Sequence, residues 1–294
     1  MNNRRVTEIE SDHSEAEPAN PEPGDRGWML VGYSLAIVFA VEILEHSTLT
    51  NHHLLRDATT ATLGFVSVDL IASLIALALT AFLLLGVGKF RLSHIGIRPR
   101  AIVAGIGVGL ALWGLTQVLL AIVSLGRTGM VTVYRGWEGD PLATFLGLPR
   151  FAFGEALFEE LFFRGYLLVW MVLECQRRMK DKFVGSLTAV MLSQVLFALV
   201  AIPGRVAAGI PWTQFPIELL LLTLTGIYYS ILYIRTDNIF IPVALHALTL
   251  WPAPLFDPHL DPAKLSILVS AIFLVIPPRT RSSTEMRYGS RVWD

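Results

Sequence analysis

One cysteine in 294 residues, Cys175, leaves no partner for an intrachain disulfide, so nothing in this chain is stapled covalently to itself. Charge is scarce as well: 16% of the residues are Asp, Glu, Lys or Arg, where an ordinary soluble domain carries about 25%. The two signs nearly cancel, at a formal net charge of −1, which argues against the basic footprint of a nucleic-acid partner. No internal repeat is visible, and this speaks against a transporter built from two related halves. His-Glu-x-x-His does not occur, and a catalytic zinc asks for three protein ligands and a water. Neither a metal nor another cofactor is therefore expected. The leading segment 1–27 has no apolar run of signal-peptide type; it is polar, acidic and proline-rich, and reads as a disordered tail.

What the chain does have is long uncharged runs, with 53% hydrophobic residues and a mean hydropathy of +0.57. A helix rising about 1.5 Å per residue needs about 20 apolar residues to cross about 30 Å of hydrocarbon. Runs of that kind lie at 28–44, 62–87, 101–125, 151–173, 183–202, 213–234, 239–256 and 264–278, the last two short and flanked by proline. Helices satisfy their own backbone hydrogen bonds where water is absent. The expected fold is thus all-α, a polytopic transmembrane bundle of about eight spans. It divides into a cytoplasmic tail (1–27), N-terminal transmembrane helices (28–90), a transmembrane core (91–278) and a basic cytoplasmic tail (279–294). With the N-terminus inside, 16 of the 23 Lys and Arg residues fall on inner segments, which places both termini in the cytoplasm of a cell whose bounding membrane holds the chain.

The stretch Phe-Glu-Glu-Leu-Phe-Phe-Arg-Gly-Tyr-Leu, Phe158 to Leu167, breaks this pattern with three ionisable groups inside an apolar run. Glu42, Asp69 and Glu218 lie near the outer ends of their spans, within reach of interfacial water. Glu159 instead sits about 13 Å into the fourth span, where a charge costs about 2.5–3.5 kcal/mol. Glu160 and Arg164 are four apart and share a helix face, so they can pair. Glu159, turned by about 100° from Glu160, falls on a stripe with Glu155, Phe162 and Tyr166. One carboxylate is then neutralised while the other is open to water, a substrate or a proton. Spacing alone leaves two readings, a poised general base or a structural ion pair with a spare protonated glutamate.

Glu159-Glu160-Leu161-Phe162-Phe163-Arg164-Gly165-Tyr166-Leu167 resembles the first motif of the CPBP family, the CAAX-protease and bacteriocin-processing intramembrane endopeptidases formerly called Abi proteins. Arg91–Arg100, "RLSHIGIRPR", is similar to the segment that often precedes the family domain. Ser193–Gly204, "SQVLFALVAIPG", resembles the second motif, Ser-x-x-x-Phe-x-x-x-His, and Gly226–Leu250 resembles the third block, ending in His-x-x-x-Asn or Asp. The resemblance implies a CPBP-like core that hydrolyses membrane-embedded or membrane-associated peptides. It implies Glu159 as the base that activates water, Glu160 with Arg164 fixing the helix, His246 as the third-motif histidine and Phe197 as the packing residue of the second motif. It also implies that the fourth to seventh spans enclose a polar cavity.

Two positions depart from the family pattern: Ala201 stands where the second motif has histidine, and Leu250 where the third has Asn or Asp. Neither side chain can form a hydrogen bond, and one positioned acid–base group is typically worth about 10²–10⁴-fold in rate. Glu155 can share a proton with Glu159, and Gln194 or Tyr228 can supply an amide or a hydroxyl from a neighbouring helix. His13, His46, His52, His53, His94 and His259 fall in tails or loops, leaving His246 as the histidine within a span. Three functions stay open: an endopeptidase with a rearranged site, a catalytically inactive relative that binds or regulates membrane proteins or peptides, and a transporter or proton-coupled channel using the buried carboxylates.

Overall fold

A computed structural model describes residues 25–47, 57, 59–62, 65–87 and 97–275. Both expected tails fall outside these residues apart from 25–27, as do His13, His52, His53, His94 and most of the segment at 91–100. Among the described residues the regular elements are all helical, and extended chain pairs only in an isolated bridge between Val133 and Phe256. The main helices are α1 (Asp25–Ser47), α2 (Val68–Ala81, running on as π turns over Phe82–Val87), α3 (Pro99–Thr128), α4 (141–178), α5 (Lys182–Val200), α6 (Phe215–Thr236), α7 (Phe240–Leu250) and α8 (Pro262–Ser270), with short helical pieces at Gly136–Gly139, Ile202–Ala207 and Ile272–Val275.

Among the described residues three stretches are long and apolar enough to cross a membrane: Pro99–Thr128, Lys182–Ala207 and Trp212–Thr236. Their outward faces are apolar, with Val103, Ile106, Leu110 and Ile122 exposed along α3, as a lipid-facing helix requires. Val31–Ile43, Leu70–Ala81, Phe240–Leu250 and Pro262–Val275 are apolar but shorter. The run expected at 239–256 is helical only to Leu250, and its 11 residues reach about 16 Å. Pro252 and Pro254 cannot donate to a continuing helix, and the chain is held in another conformation instead. Trp113 Nε1 donates to the Ala253 carbonyl at 3.1 Å, Trp137 Nε1 to that of Pro254 at 2.6 Å, and the Leu255 N–H to Gln117 Oε1 at 2.7 Å. α7 is thus a half-span inside the bundle, with a stapled loop over its end.

α4 is not the regular helix expected at 151–173. It starts as α-helix over Pro141–Phe151, passes through π turns at Ala152–Ala156 with a kink at Gly154, and takes one α turn at Leu157–Glu160. It then widens again to π over Leu161–Leu168 before closing as Val169–Arg178. Each π turn adds a residue to the helical circuit and rotates the positions C-terminal to it. Phe162 and Tyr166 are therefore packed in the core at 0% and 1% exposure, instead of continuing the stripe of Glu155 and Glu159. The residues of Leu161–Leu168 are all buried, so the charged motif lies at the centre of the bundle and away from lipid.

α5 packs between the end of α4 and α6, and α7 packs between α3 and α8. The α3–α7 crossing is close because Gly105 and Gly109 form a Gly-x-x-x-Gly face against Phe240 and Ala244. A Cβ at Gly105 would lie 2.9 Å from the Phe240 carbonyl carbon, whereas one at Gly107 meets nothing within 4 Å. Gly105→Ala is expected to push α7 outward and to destabilise the protein by about 1–3 kcal/mol. Gly107→Ala should be neutral or slightly stabilising, because alanine is the better helix former by about 1 kcal/mol. Thermal melts of the two variants in one detergent check the pair.

Candidate active site

The short α turn between the two π segments carries both glutamates, and they diverge. Glu160 points into the protein at 0% exposure, while Glu159 opens onto a cavity of about 340 Å³. Glu160 Oε1 accepts from Arg164 Nη1 at 3.1 Å, the pairing that the four-residue spacing implies. The same oxygen lies 2.9 Å from His246 Nδ1, which reaches it from α7. As the oxygen of an ionised carboxylate it accepts, so Nδ1 carries the proton and Nε2 is left toward the cavity. His246 Nε2 lies 3.8 Å from Glu159 Oε2. The two glutamates thus flank one imidazole, with Glu160 hydrogen-bonded at Nδ1 and Glu159 beyond direct hydrogen-bond reach of Nε2.

Arg164 is wholly buried, and its guanidinium sits over two aromatic faces, 4.6 Å from the Phe197 centroid and 5.5 Å from that of Tyr229. Phe197 also meets Phe163 edge-on at 5.0 Å. Tyr229 flanks the imidazole, with ring centroids 5.3 Å apart. Thr249 Oγ1 donates to the His246 carbonyl at 2.7 Å, and the Tyr229 hydroxyl lies 3.0 Å from that same Oγ1. The histidine is consequently fixed through its ring and its backbone.

Glu42, Glu155, Glu159, Phe197, Ala201, Arg205, His246 and Leu250 are on the cavity wall. Both departures from the family pattern therefore face the space that Glu159 and His246 face. Glu42 corrects the view of that residue as interfacial, since α1 packs along Ile202–Ala207 and carries its carboxylate inward. Glu218 lies 3.9 Å from Arg205 Nη1. Gln194 is buried beside Arg164 and is absent from the wall. Tyr228 does not reach the wall either: its hydroxyl is 2.6 Å from Ser270 Oγ on α8. Its neighbour in the doublet, Tyr229, was missed by sequence reasoning because a Tyr-Tyr pair does not say which ring faces inward. Among the described residues no three His, Cys, Asp or Glu side chains are grouped to hold a metal ion.

An all-helical membrane protein with a paired glutamate motif and a histidine converging on an internal cavity is the class these features define. Residues 141–251 match the family model described as type II CAAX prenyl endopeptidase Rce1-like, in keeping with the CPBP resemblance of the motifs. The match spans Glu155, Glu159, Glu160, Arg164, Phe197, Tyr228 and His246, and leaves out Glu42 and the segment at 91–100. No curated protein and no solved structure matches the chain.

Removing one partner of a buried ion pair leaves an uncompensated charge, at a cost of about 3–5 kcal/mol, whereas neutralising both partners is often close to neutral. Arg164→Met alone should therefore be strongly destabilising. Adding Glu160→Gln, which retains an acceptor for His246, should recover most of the loss. Melting midpoints of the two single variants and the double variant test this, and equal losses in Arg164→Met and the double variant would refute it.

Proposed function

We propose that this protein is a multi-pass membrane endopeptidase of the CPBP type, hydrolysing membrane-associated peptides with a water activated by Glu159. The observation that carries this reading is the 3.8 Å separation of Glu159 Oε2 and His246 Nε2 on a cavity wall, with the far nitrogen of the same ring committed to Glu160. One water can span two acceptors at that distance, donating one hydrogen to each.

In this mechanism Glu159 takes a proton from the water as its oxygen attacks the peptide carbonyl carbon. His246 Nε2 holds the second hydrogen and aims the attacking lone pair. Collapse of the tetrahedral intermediate breaks the carbon–nitrogen bond, and Glu159 returns its proton to the departing amine. Glu160 and Arg164 act by keeping the imidazole in one orientation and one tautomer. Ala201 and Leu250 leave the oxyanion without the two side chains that the family pattern would bring, so turnover is expected to be slow. Substrates are peptides or proteins held in or at the lipid bilayer, the setting that the apolar helices and the family domain support. The distribution of Lys and Arg supports a cell-membrane location with both termini cytoplasmic.

The test is cleavage of membrane-associated peptides by purified protein in detergent or vesicles. Glu159→Gln should lower the rate by about 10²–10⁴-fold while leaving the melting midpoint near that of the wild type. Equal turnover by both would end the reading.

Ala201→His together with Leu250→Asn restores the family pattern on the cavity wall and should raise turnover by at least about 10-fold. Cleavage by this double variant alone, with none by the wild type, would instead identify the wild type as the inactive relative that binds or regulates membrane proteins or peptides.

A further inference from the structure

Behind the glutamate pair, away from the cavity, three helices meet at polar atoms that the mechanism does not use. Arg164 Nη1 is taken by Glu160, but Nη2 has no hydrogen-bond partner among the described residues and is fully buried. Gln194 of α5 is likewise at 0% exposure. Its amide nitrogen donates to Ser193 Oγ at 2.9 Å, and Ser193 Oγ donates to the Val190 carbonyl at 3.0 Å. This orients the amide and turns Oε1 the other way, where it too is buried without a partner among the described residues. A donor and an acceptor, both unmet, thus come from two different helices.

Gly226 of α6 is where they meet. A methyl group there would overlap Gln194 Oε1 and come 3.1 Å from Arg164 Nη2, so both atoms face the same bare length of α6 backbone. With glycine here, no side chain stands between the two atoms and the α6 backbone. Arg164 cannot shed its charge, and a buried amide oxygen without a hydrogen bond is costly, so the notch suits a small molecule that accepts from one side and donates to the other. Water meets that description at its lower limit of two partners.

We infer that the Arg164–Gln194–Gly226 notch is a binding site for one structural water, which accepts from Arg164 Nη2 and donates to Gln194 Oε1. Gln194 lies about two turns before Ala201, on the face of α5 that looks at α4. The bridge therefore gives the second-motif helix a polar hold on the first, at a different level from the histidine it lacks. It does not depend on hydrolysis, so a protein that cleaves nothing can still carry it.

The test has two arms on the full-length protein. An experimental density map at a resolution that shows ordered solvent should contain a water within hydrogen-bonding distance of both atoms. A direct contact between Arg164 and Gln194, or an amide turned elsewhere, would overturn the proposal. In detergent melts Gln194→Ala and Gly226→Ala should each lower the midpoint. Combined, they should lower it by clearly less than the sum, because the added methyl fills space vacated by both the amide and the water. Strictly additive losses would also overturn it, and the wild-type map decides the matter if any variant fails to fold.

Discussion

A guanidinium that cannot lose its proton sits in the middle of this bundle with no exposed surface, and the surrounding helices are disposed around it. An uncompensated charge in such a place would cost several kcal/mol. Compensation comes from the Glu160 carboxylate one turn away and from the faces of Phe197 and Tyr229, each ring delivered by a different helix. Arg164 thereby ties α4 to α5 and α6. The close glycine-lined crossing of α3 presses α7 into the same knot from the other side, which brings His246 to the carboxylate already serving the arginine.

Glu160 Oε1 is the hinge between stability and chemistry. It lies 3.1 Å from Arg164 Nη1 and 2.9 Å from His246 Nδ1, so one oxygen neutralises the cation and also dictates the tautomer of the histidine. With Glu160 occupied in this way, Glu159 is released to the cavity. The adjacent positions diverge because they lie about 100° apart on an α turn. The π turns on either side keep the rest of α4 from repeating that divergence, and so Phe162 and Tyr166 serve the core. A doublet of glutamates can therefore hold one residue for structure and offer the other to solvent without a second charged helix.

Much of this was legible from particular residues. The apolar runs pointed to the helical class, and the spacing of Glu160 and Arg164 foretold their contact, since both depend on local helical geometry. The π turns were not legible, because they depend on how α4 is wedged among its neighbours and leave no pattern in the apolar positions. Glu42 looked interfacial because depth in a span can be counted along the chain, while the direction a side chain takes depends on what α1 packs against. Tyr229 was hidden beside Tyr228 for the same reason. The end of α7 was partly written in Pro252 and Pro254, but the indole clamps from Trp113 and Trp137 join residues more than a hundred positions apart.

Ala201 and Leu250 stand on the chamber wall where the family motifs that the chain resembles carry polar groups. Two apolar side chains on its wall remove hydrogen-bonding partners, yet they have not turned it into an apolar void. Glu42, Glu155 and Glu159 still line it with Arg205 and His246, and a wall of this kind is far more stable wet than dry. A chamber kept only for packing would be expected to close around carbon. A wall that keeps its carboxylates favours water beside them, which is what the proposed hydrolysis requires. In the proposed mechanism the two apolar side chains would weaken the grip on a charged intermediate while leaving the means of attack in place.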